Sequence, residues 1–461
     1  MEPIFTNDAI VFGFLCLLLG LIFYTASLPA WKKFYTIIPT LVLCYFLPAF
    51  LYWPLNLIAP EWFDNSLLTF LAERGLTIPD GMSFNSIKDW LVENGVSKSE
   101  YEPFERHSNL YFMASRYLLP ASLLLLCISI DLKGILRLGN KALIMFFTAT
   151  AGIIIGGPIA LLIISTLAPE GFIPAAPEDV WRGLSTVAGS WIGGGANQAA
   201  MKEIFEVQDS LFGTMVIVDV LVANIWMAFL LYGAGISDKL DVKLKADNSA
   251  ITELKEKIAS YRASIERIPT TRHMFMILAV AFFGVALSHM VADAVVPWLK
   301  NFKETLDAWR LSSLMSSFFW IVVVSTTVGL VLSFTKAKKL EGVGASNWGS
   351  VFIYVLVTTI GMHMNVGEIF QNIGLFAIGL VWMSVHVGLL LLVAKLIKAP
   401  FFFVAVGSQA NIGGAASAPI VASAFSPSLA PVGVLMAVLG YALGTYGALI
   451  CAFLMQGVAG G

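Results

Sequence analysis

Charge is scarce in this chain. Only 13% of its 461 residues are Asp, Glu, Lys or Arg, where soluble domains carry roughly 25%. So few charges cannot cover a water-exposed surface, and this excludes a soluble globular protein. The 28 basic residues are balanced by 30 acidic ones and form no patch or stripe, which excludes nucleic acid as a partner. Cysteine is scarce as well. Cys16, Cys44, Cys127 and Cys451 all fall in apolar stretches, so they form neither a disulfide framework nor a metal cluster and read as small core hydrophobes. Catalytic signatures are missing: there is no H-E-x-x-H, no G-x-S-x-G and no Walker A sequence. That argues against an intramembrane enzyme and against ATP as the energy source. Residues 1–8 hold Glu2 and Asp8 but no lysine or arginine. A secretory signal needs a positive leader, so the apolar stretch that follows is expected to stay in place as a span.

Apolar residues fill the gap. They make up 58% of the chain, and the mean hydropathy is +0.81. About twelve apolar segments emerge by window hydropathy, near 10–28, 35–55, 109–130, 142–167, 180–201, 211–234, 274–297, 311–334, 347–365, 373–396, 400–424 and 430–456. The expected fold is an all-α polytopic membrane protein.

Three polar stretches separate these segments. Residues 56–107 carry nine acids against four bases (Arg74, Lys88, Lys98 and Arg106). They are expected outside the cytoplasm as a small acidic insertion, with a helix capped at Asn85 and ending at Gly95. Residues 236–272 place Ile251, Leu254, Ile258, Tyr261 and Ile265 at helical spacing, which reads as an amphipathic linker between a first repeat (1–235) and a second (273–461). The third stretch, 335–346, holds Lys336, Lys338 and Lys339. It is expected in the cytoplasm, as are Lys32–Lys33, the Lys133/Arg137/Lys141 loop and Lys395/Lys398.

The two repeats share an order of parts. A loop at Asp131 matches one at Asn365, and each is followed by a span, a glycine-interrupted span and a last span. The charges put the first loop inside and the second outside, so the repeats are expected to be inverted. Six segments lie between the two loops, which would leave both on the same side. The charges therefore require an odd total of eleven or thirteen crossings.

The interruptions carry the chemistry. Gly193, Gly194 and Gly195 break one apolar segment, and Gly413 and Gly414 break another. Paired breaks in the two halves of a membrane protein point to a transporter binding site. Half-helix N-termini attract anions, and half-helix carbonyl ends attract Na⁺ or a protonated group. Ser190, Asn197, Gln198, Gln409, Asn411 and Ser417 flank the breaks and complete the expected solute site. Pro419 further weakens the second helix. The alternative is close helix packing on small residues, without any ligand.

Asp219 lies mid-span, where a carboxylate costs roughly 2.5–3.5 kcal/mol. It is expected to couple transport by binding Na⁺ or a proton, with Asn224 facing it. The bland alternative is a structural hydrogen bond to the Gly193–Asn197 region. Other polar residues carry less. Arg116 reads as an interfacial snorkelling residue, His289 and Asp293 as an interfacial pair, and His363 and His386 as packed histidines. Tyr441 and Tyr446 can pack or bond a solute.

Residues 189–197, 410–419, 429–435 and 439–447 resemble signature stretches of the YjcL-like family of bacterial and plastid membrane proteins, which have no assigned function. The resemblance covers most of the chain outside 56–107 and 236–272. That family is similar in turn to the cation:proton antiporter and anion transporter group, which includes sodium–glutamate symporters. The resemblance implies inverted repeats, two crossing broken helices in a core domain, a separate scaffold domain and elevator-like alternating access. It also implies a scaffold-mediated homodimer in a bacterial inner membrane. The expected function is secondary transport of a small anionic or zwitterionic organic solute coupled to Na⁺ or H⁺, with lipid around it and no cofactor or resident metal beyond a Na⁺ near Asp219. A channel or a receptor without transport is the alternative.

Overall fold

Apolar runs form helices here because lipid offers the backbone no hydrogen-bond partner. The computed structural model describes every residue except 1, 39, 80–81, 83, 129–137, 170–171, 174–176, 247–267, 309–311, 365–372, 427–428 and 460–461. The linker pattern from Ile251 to Ile265 and the Asp131 and Asn365 loops fall outside the described residues. Among the described residues six helices are long and apolar enough to span: Asp8–Ser27, Leu110–Ile128, Asn140–Leu167, Asp209–Gly235, Thr271–Lys300 and Gly374–Leu396. The number rises to eight if two bent pairs, Ser317–Ser333 with Lys336–Val343 and Val432–Tyr441 with Leu443–Ala459, each count as one span. The long apolar helices among the described residues are fewer than the eleven to thirteen crossings expected. Packing divides the chain into two units, Met1–Ala114 with Tyr354–Glu368, and Ser115–Ile353 with Ile369–Gly461. These units cut across the expected halves 1–235 and 273–461.

The first unit contains α1 (Asp8–Ser27), α2 (Lys32–Ile37) and α3 (Thr40–Tyr52), then the acidic segment. The expected span at 35–55 is split, since α2 stops at Ile37 and α3 begins at Thr40. In the acidic segment β1 (Glu61–Phe63) pairs antiparallel with β2 (Glu105–His107). Between them lie α4 (Ser66–Ala72), α5 (Phe84–Glu93) and α6 (Lys98–Tyr101). Asn85 sits inside α5 rather than capping it, and the chain turns at Gly95 with φ +80°. Phe63, Leu67, Leu71, Ile87, Leu91, Val96 and Tyr101 form a core of their own.

Glu100 staples this segment. It accepts from Arg74 Nη2 at 2.7 Å and from Ser97 Oγ and N at 2.8 Å. The Arg74 bond, helped by Ser97, holds its carboxyl down at about 2. A depressed folded-state value adds stability above the ordinary carboxylate range, and that stability is lost as pH falls toward 2. Amide protection across 91–101, corrected for the intrinsic exchange rate, is expected to fall as pH drops from 4.5 toward 2 in the wild type. In Glu100→Gln the protection should be lower at neutral pH and flat across that interval.

The second unit is the helical bundle. Its elements are α7 (Leu110–Ile128, from residue 115), α8 (Asn140–Leu167), α9 (Pro177–Gly193), α10 (Gly195–Ile204), α11 (Asp209–Gly235) and α12 (Ser237–Leu244). They continue with α13 (Thr271–Lys300), α14 (Lys303–Ala308), α15 (Ser317–Ser333), α16 (Ala345–Gly361, to residue 353), α17 (Ile373–Leu396), α18 (Phe401–Ile412), α19 (Gly414–Phe425) and α20 (Ala430–Ala459). Lys141, at the start of α8, donates to the carbonyl of Lys398 just past α17 at 3.2 Å. The two helices therefore run antiparallel. Leu340 and Val343 of the lysine-bearing turn Lys336–Val343 pack with Ile128 at the end of α7. Three lysine groups thus gather at one end of the bundle, as the charge pattern requires.

The two glycine-broken segments do not cross the bundle. Arg182 Nη1, early in α9, donates to the carbonyl of Phe205, just past α10, at 2.9 Å. The Trp181 and Phe205 rings lie 5.2 Å apart. In the second pair, Phe401 and Phe402 at the start of α18 lie 6.2 and 5.3 Å from Phe425 at the end of α19. Each pair is a re-entrant hairpin with both ends on one side and its tip inside. The crossing broken helices implied by the resemblance are replaced by two hairpins. The sequence pattern could not separate the cases, because a helix that turns back has the same hydropathy as one that continues.

Candidate functional site

Glycine builds the tips. Gly194 (φ +77°) ends α9 and Gly414 (φ +56°) opens α19, both in the left-handed region that L side chains avoid. The turned-back backbone then needs partners, since buried unpaired groups are costly. At the first tip Ser190 O accepts from Gly194 N at 2.8 Å, and Gly194 O accepts from Asn197 N at 3.0 Å and Gln198 N at 3.1 Å. Gly193 O accepts from Asn197 Nδ2 at 3.0 Å. At the second tip Gln409 O accepts from Gly413 N at 2.9 Å, and Gly407 O from Asn411 Nδ2 at 2.9 Å. The N-cap residues of α10 and α19 are Gly194 and Gly413, which have no side chain to cap with.

The tips meet on α20. A Cβ on Gly440 would lie 2.7 Å from Ile192 O and 3.4 Å from Ala410 O. The carbonyl ends of α9 and α18, which carry partial negative charge, thus face one spot on α20. One turn on, a Cβ on Gly444 would lie 2.5 Å from Gly193 Cα. Gly194, Gly195, Gly413, Ser417 and Tyr441 stay half-buried here, so the place is not sealed.

Asp219 binds hairpin 1 to α11. Its Oδ2 accepts from Ser190 Oγ at 2.6 Å and Gln198 Nε2 at 3.1 Å, and its Oδ1 from Trp191 Nε1 at 2.7 Å. All four side chains are buried. Seven residues further along α11, two helical turns on the same face, Trp226 Nε1 donates to Ser408 Oγ on hairpin 2 at 2.8 Å. Ser408 Oγ also lies 2.8 Å from His386 Nε2, whose Nδ1 is 3.1 Å from Ala149 O. A carbonyl can only accept, so Nδ1 carries the proton and Nε2 accepts from Ser408.

Ser190 and Gln198, assigned from the sequence to the solute site, join Asp219 here. Asn224 does not: it is half-buried and five residues from Asp219, well off its face. Asn197 Oδ1 accepts from Thr445 Oγ1 at 2.6 Å, and Asn411 Oδ1 from Thr150 Oγ1 at 2.8 Å. Both amides are therefore engaged by the protein. Gln409 Nε2 lies 2.6 Å from Ser417 Oγ. His289 turns to the carbonyl of Arg116 at 3.1 Å instead of pairing with Asp293. The Arg116 guanidinium lies 4.5 Å over the Phe318 ring. The roles of Trp226, Thr150 and Thr445 leave no local mark in the sequence, because their partners lie far away along the chain.

Residues 102–457, including both hairpins and the Asp219 cluster, match the family model described as a protein of unknown function (DUF819). The chain belongs to the DUF819 family. It is also 23% identical over 358 residues to the uncharacterized membrane protein YjcL of Bacillus subtilis (strain 168), covering 74% of this chain and 82% of that protein. This DUF819 protein is therefore an all-α integral membrane protein, and its family match begins inside the acidic segment.

Proposed function

We propose that the protein is a secondary active transporter, not an enzyme, and that its solute binds where the two hairpin tips meet α20. The observation that carries this reading is the convergence of Ile192 O and Ala410 O on Gly440. Two helices that stop inside the bundle and aim their carbonyl ends at one spot suit a ligand. α8, hairpin 1 and α11 form one set, and α17, hairpin 2 and α20 another. The antiparallel run of α8 and α17 favours an inverted relation between them. Hairpin 1 then opens toward one side of the membrane and hairpin 2 toward the other, which is what alternating access requires. In this reading the two sets form a core that moves against the remaining helices in an elevator-like step. The lysine end faces the cytoplasm of a bacterial inner membrane, and two copies associate through the remaining helices.

Asp219 is the coupling group, for Na⁺ or for H⁺. Three protein donors already hold its carboxylate. A proton on Oδ2 would turn an acceptor into a donor, weaken the bonds from Ser190 and Gln198, and loosen hairpin 1 from α11. A Na⁺ would compete for the same oxygens. Asp219→Asn is expected to fold, to bind solute and to lose gradient-driven uptake into proteoliposomes. Uptake that kept its rate and ion dependence in that variant would rule out the coupling role.

A further inference from the structure

If a solute does bind at the hairpin tips, as the transport reading holds, its chemistry can be read from what the protein leaves over there. Gln198 is fully buried, and its orientation is fixed. The amide must turn Nε2 to Asp219, since Oε1 would be repelled by the carboxylate. That leaves Gln198 Oε1 buried with no hydrogen-bond partner among the described residues. A buried acceptor left unmet costs about 1–3 kcal/mol. Gln409 Oε1, on hairpin 2, is in the same condition. Its amide can turn over, however, because Ser417 Oγ both donates and accepts.

The side-chain donors are differently placed. Those of Ser190, Trp191, Asn197 and Asn411 are already directed at protein acceptors. The carbonyls of Ile192 and Ala410 add further negative character at Gly440. The nearest basic side chain on hairpin 1 is Lys202, one turn beyond Gln198. Its Nζ is committed to Asp209 at 2.9 Å and Glu203 at 3.7 Å. Among the described residues of hairpin 1 and α11 the site therefore has the charge of Asp219, surplus acceptors and no cation to offset them. A purely anionic solute would bring a second negative charge into this low-dielectric place, which is costly.

We propose that the solute carries a protonated amine, which donates to Gln198 Oε1 and offsets the charge of Asp219. The uncapped N-termini of α10 and α19 remain free for a carboxylate on the same molecule, so both a simple amine and an amino acid fit this chemistry.

The test is heat unfolding of the purified full-length protein in detergent, at constant ionic strength, with five probes: methylammonium, glycine, tetramethylammonium, acetate and Na⁺. Ligand binding to the folded state raises the melting temperature. The expected result is a rise with methylammonium or glycine and none with tetramethylammonium, which has the charge but no N–H. A rise with both marks the ammonium group alone as sufficient, whereas glycine alone marks the zwitterion. Stabilisation by acetate without the amines, equal stabilisation by tetramethylammonium, or a response to Na⁺ only would each overturn the proposal. Gln198→Met should lose the amine response. If that variant does not fold, the wild-type panel still decides. Amine binding without uptake in proteoliposomes would defeat the transport reading and leave the amine site standing. Uptake of a carboxylate with no amine response would do the reverse.

Discussion

Asp219→Ala should destabilise the protein by about 3–5 kcal/mol, because it strands several buried donors at once and each costs about 1–3 kcal/mol. Trp191 Nε1 and Gln198 Nε2 cannot easily find another acceptor. Their geometry is set by α9 and α10, and both are sealed from water. Ser190 Oγ suffers least, since a helical serine can turn to a carbonyl one turn back. Single removals should therefore rank: Trp191→Phe and Gln198→Met above Ser190→Ala. The measurement is the melting temperature in detergent, with the indole emission of Trp191 as a local reporter. Asp219→Asn should fall well short of the alanine variant, because the amide oxygen still accepts and Ser190 Oγ can take the new donor. A loss in Asp219→Ala no larger than in Ser190→Ala would show that the cluster does not hold hairpin 1 in place.

Gly444→Ala should unseat the first hairpin. Its Cβ would lie 2.5 Å from both Gly193 Cα and Asn197 Nδ2. Backbone cannot swing aside as a flexible side chain can, so the tip must back away from α20, at about 1–3 kcal/mol. Gly193→Ala drives the same contact from the other side, into Gly444 Cα and Asn197 Nδ2. Each variant should lose solute uptake by much more than its stability loss accounts for, because the tip moves relative to Gly440. Gly388→Ala on α17 is the control. Nothing lies within 4 Å of its Cβ, and alanine there should be neutral or add up to about 1 kcal/mol of helix stability. Unchanged uptake in both Gly444→Ala and Gly193→Ala would detach the tip from transport.

The sequence made the breaks and the buried carboxylate legible because both violate local rules. Glycines inside an apolar run and a charge in mid-span each demand a reason. The alternative reading, a structural hydrogen bond from Asp219 to the Gly193–Asn197 region, missed the residues involved: the donors are Ser190, Trp191 and Gln198, which flank that region. The direction after each break was not legible. Glycine permits many backbone paths, and tertiary packing selects among them: the Arg182–Phe205 and Phe402–Phe425 contacts close the hairpins, and neither is visible in a local pattern. Asn224 was assigned to the wrong face, since five residues turn a helix well past one revolution, whereas seven bring Trp226 back in line with Asp219. His386 is the packed histidine the sequence suggested, buried and bonded to Ala149 O and Ser408 Oγ.

α11 grips both hairpins along one stripe, through Asp219 to the first and Trp226 to the second. A rigid helix cannot slide or rotate at one of these points without moving the other. The two latches are therefore mounted on one rod. A shift of α11 along its axis that relieves the first would load the second, so that release of both at once would require the rod itself to bend. In the transport reading such linkage would be a mechanical interlock, letting either hairpin open alone and resisting the doubly open state through which ions would leak.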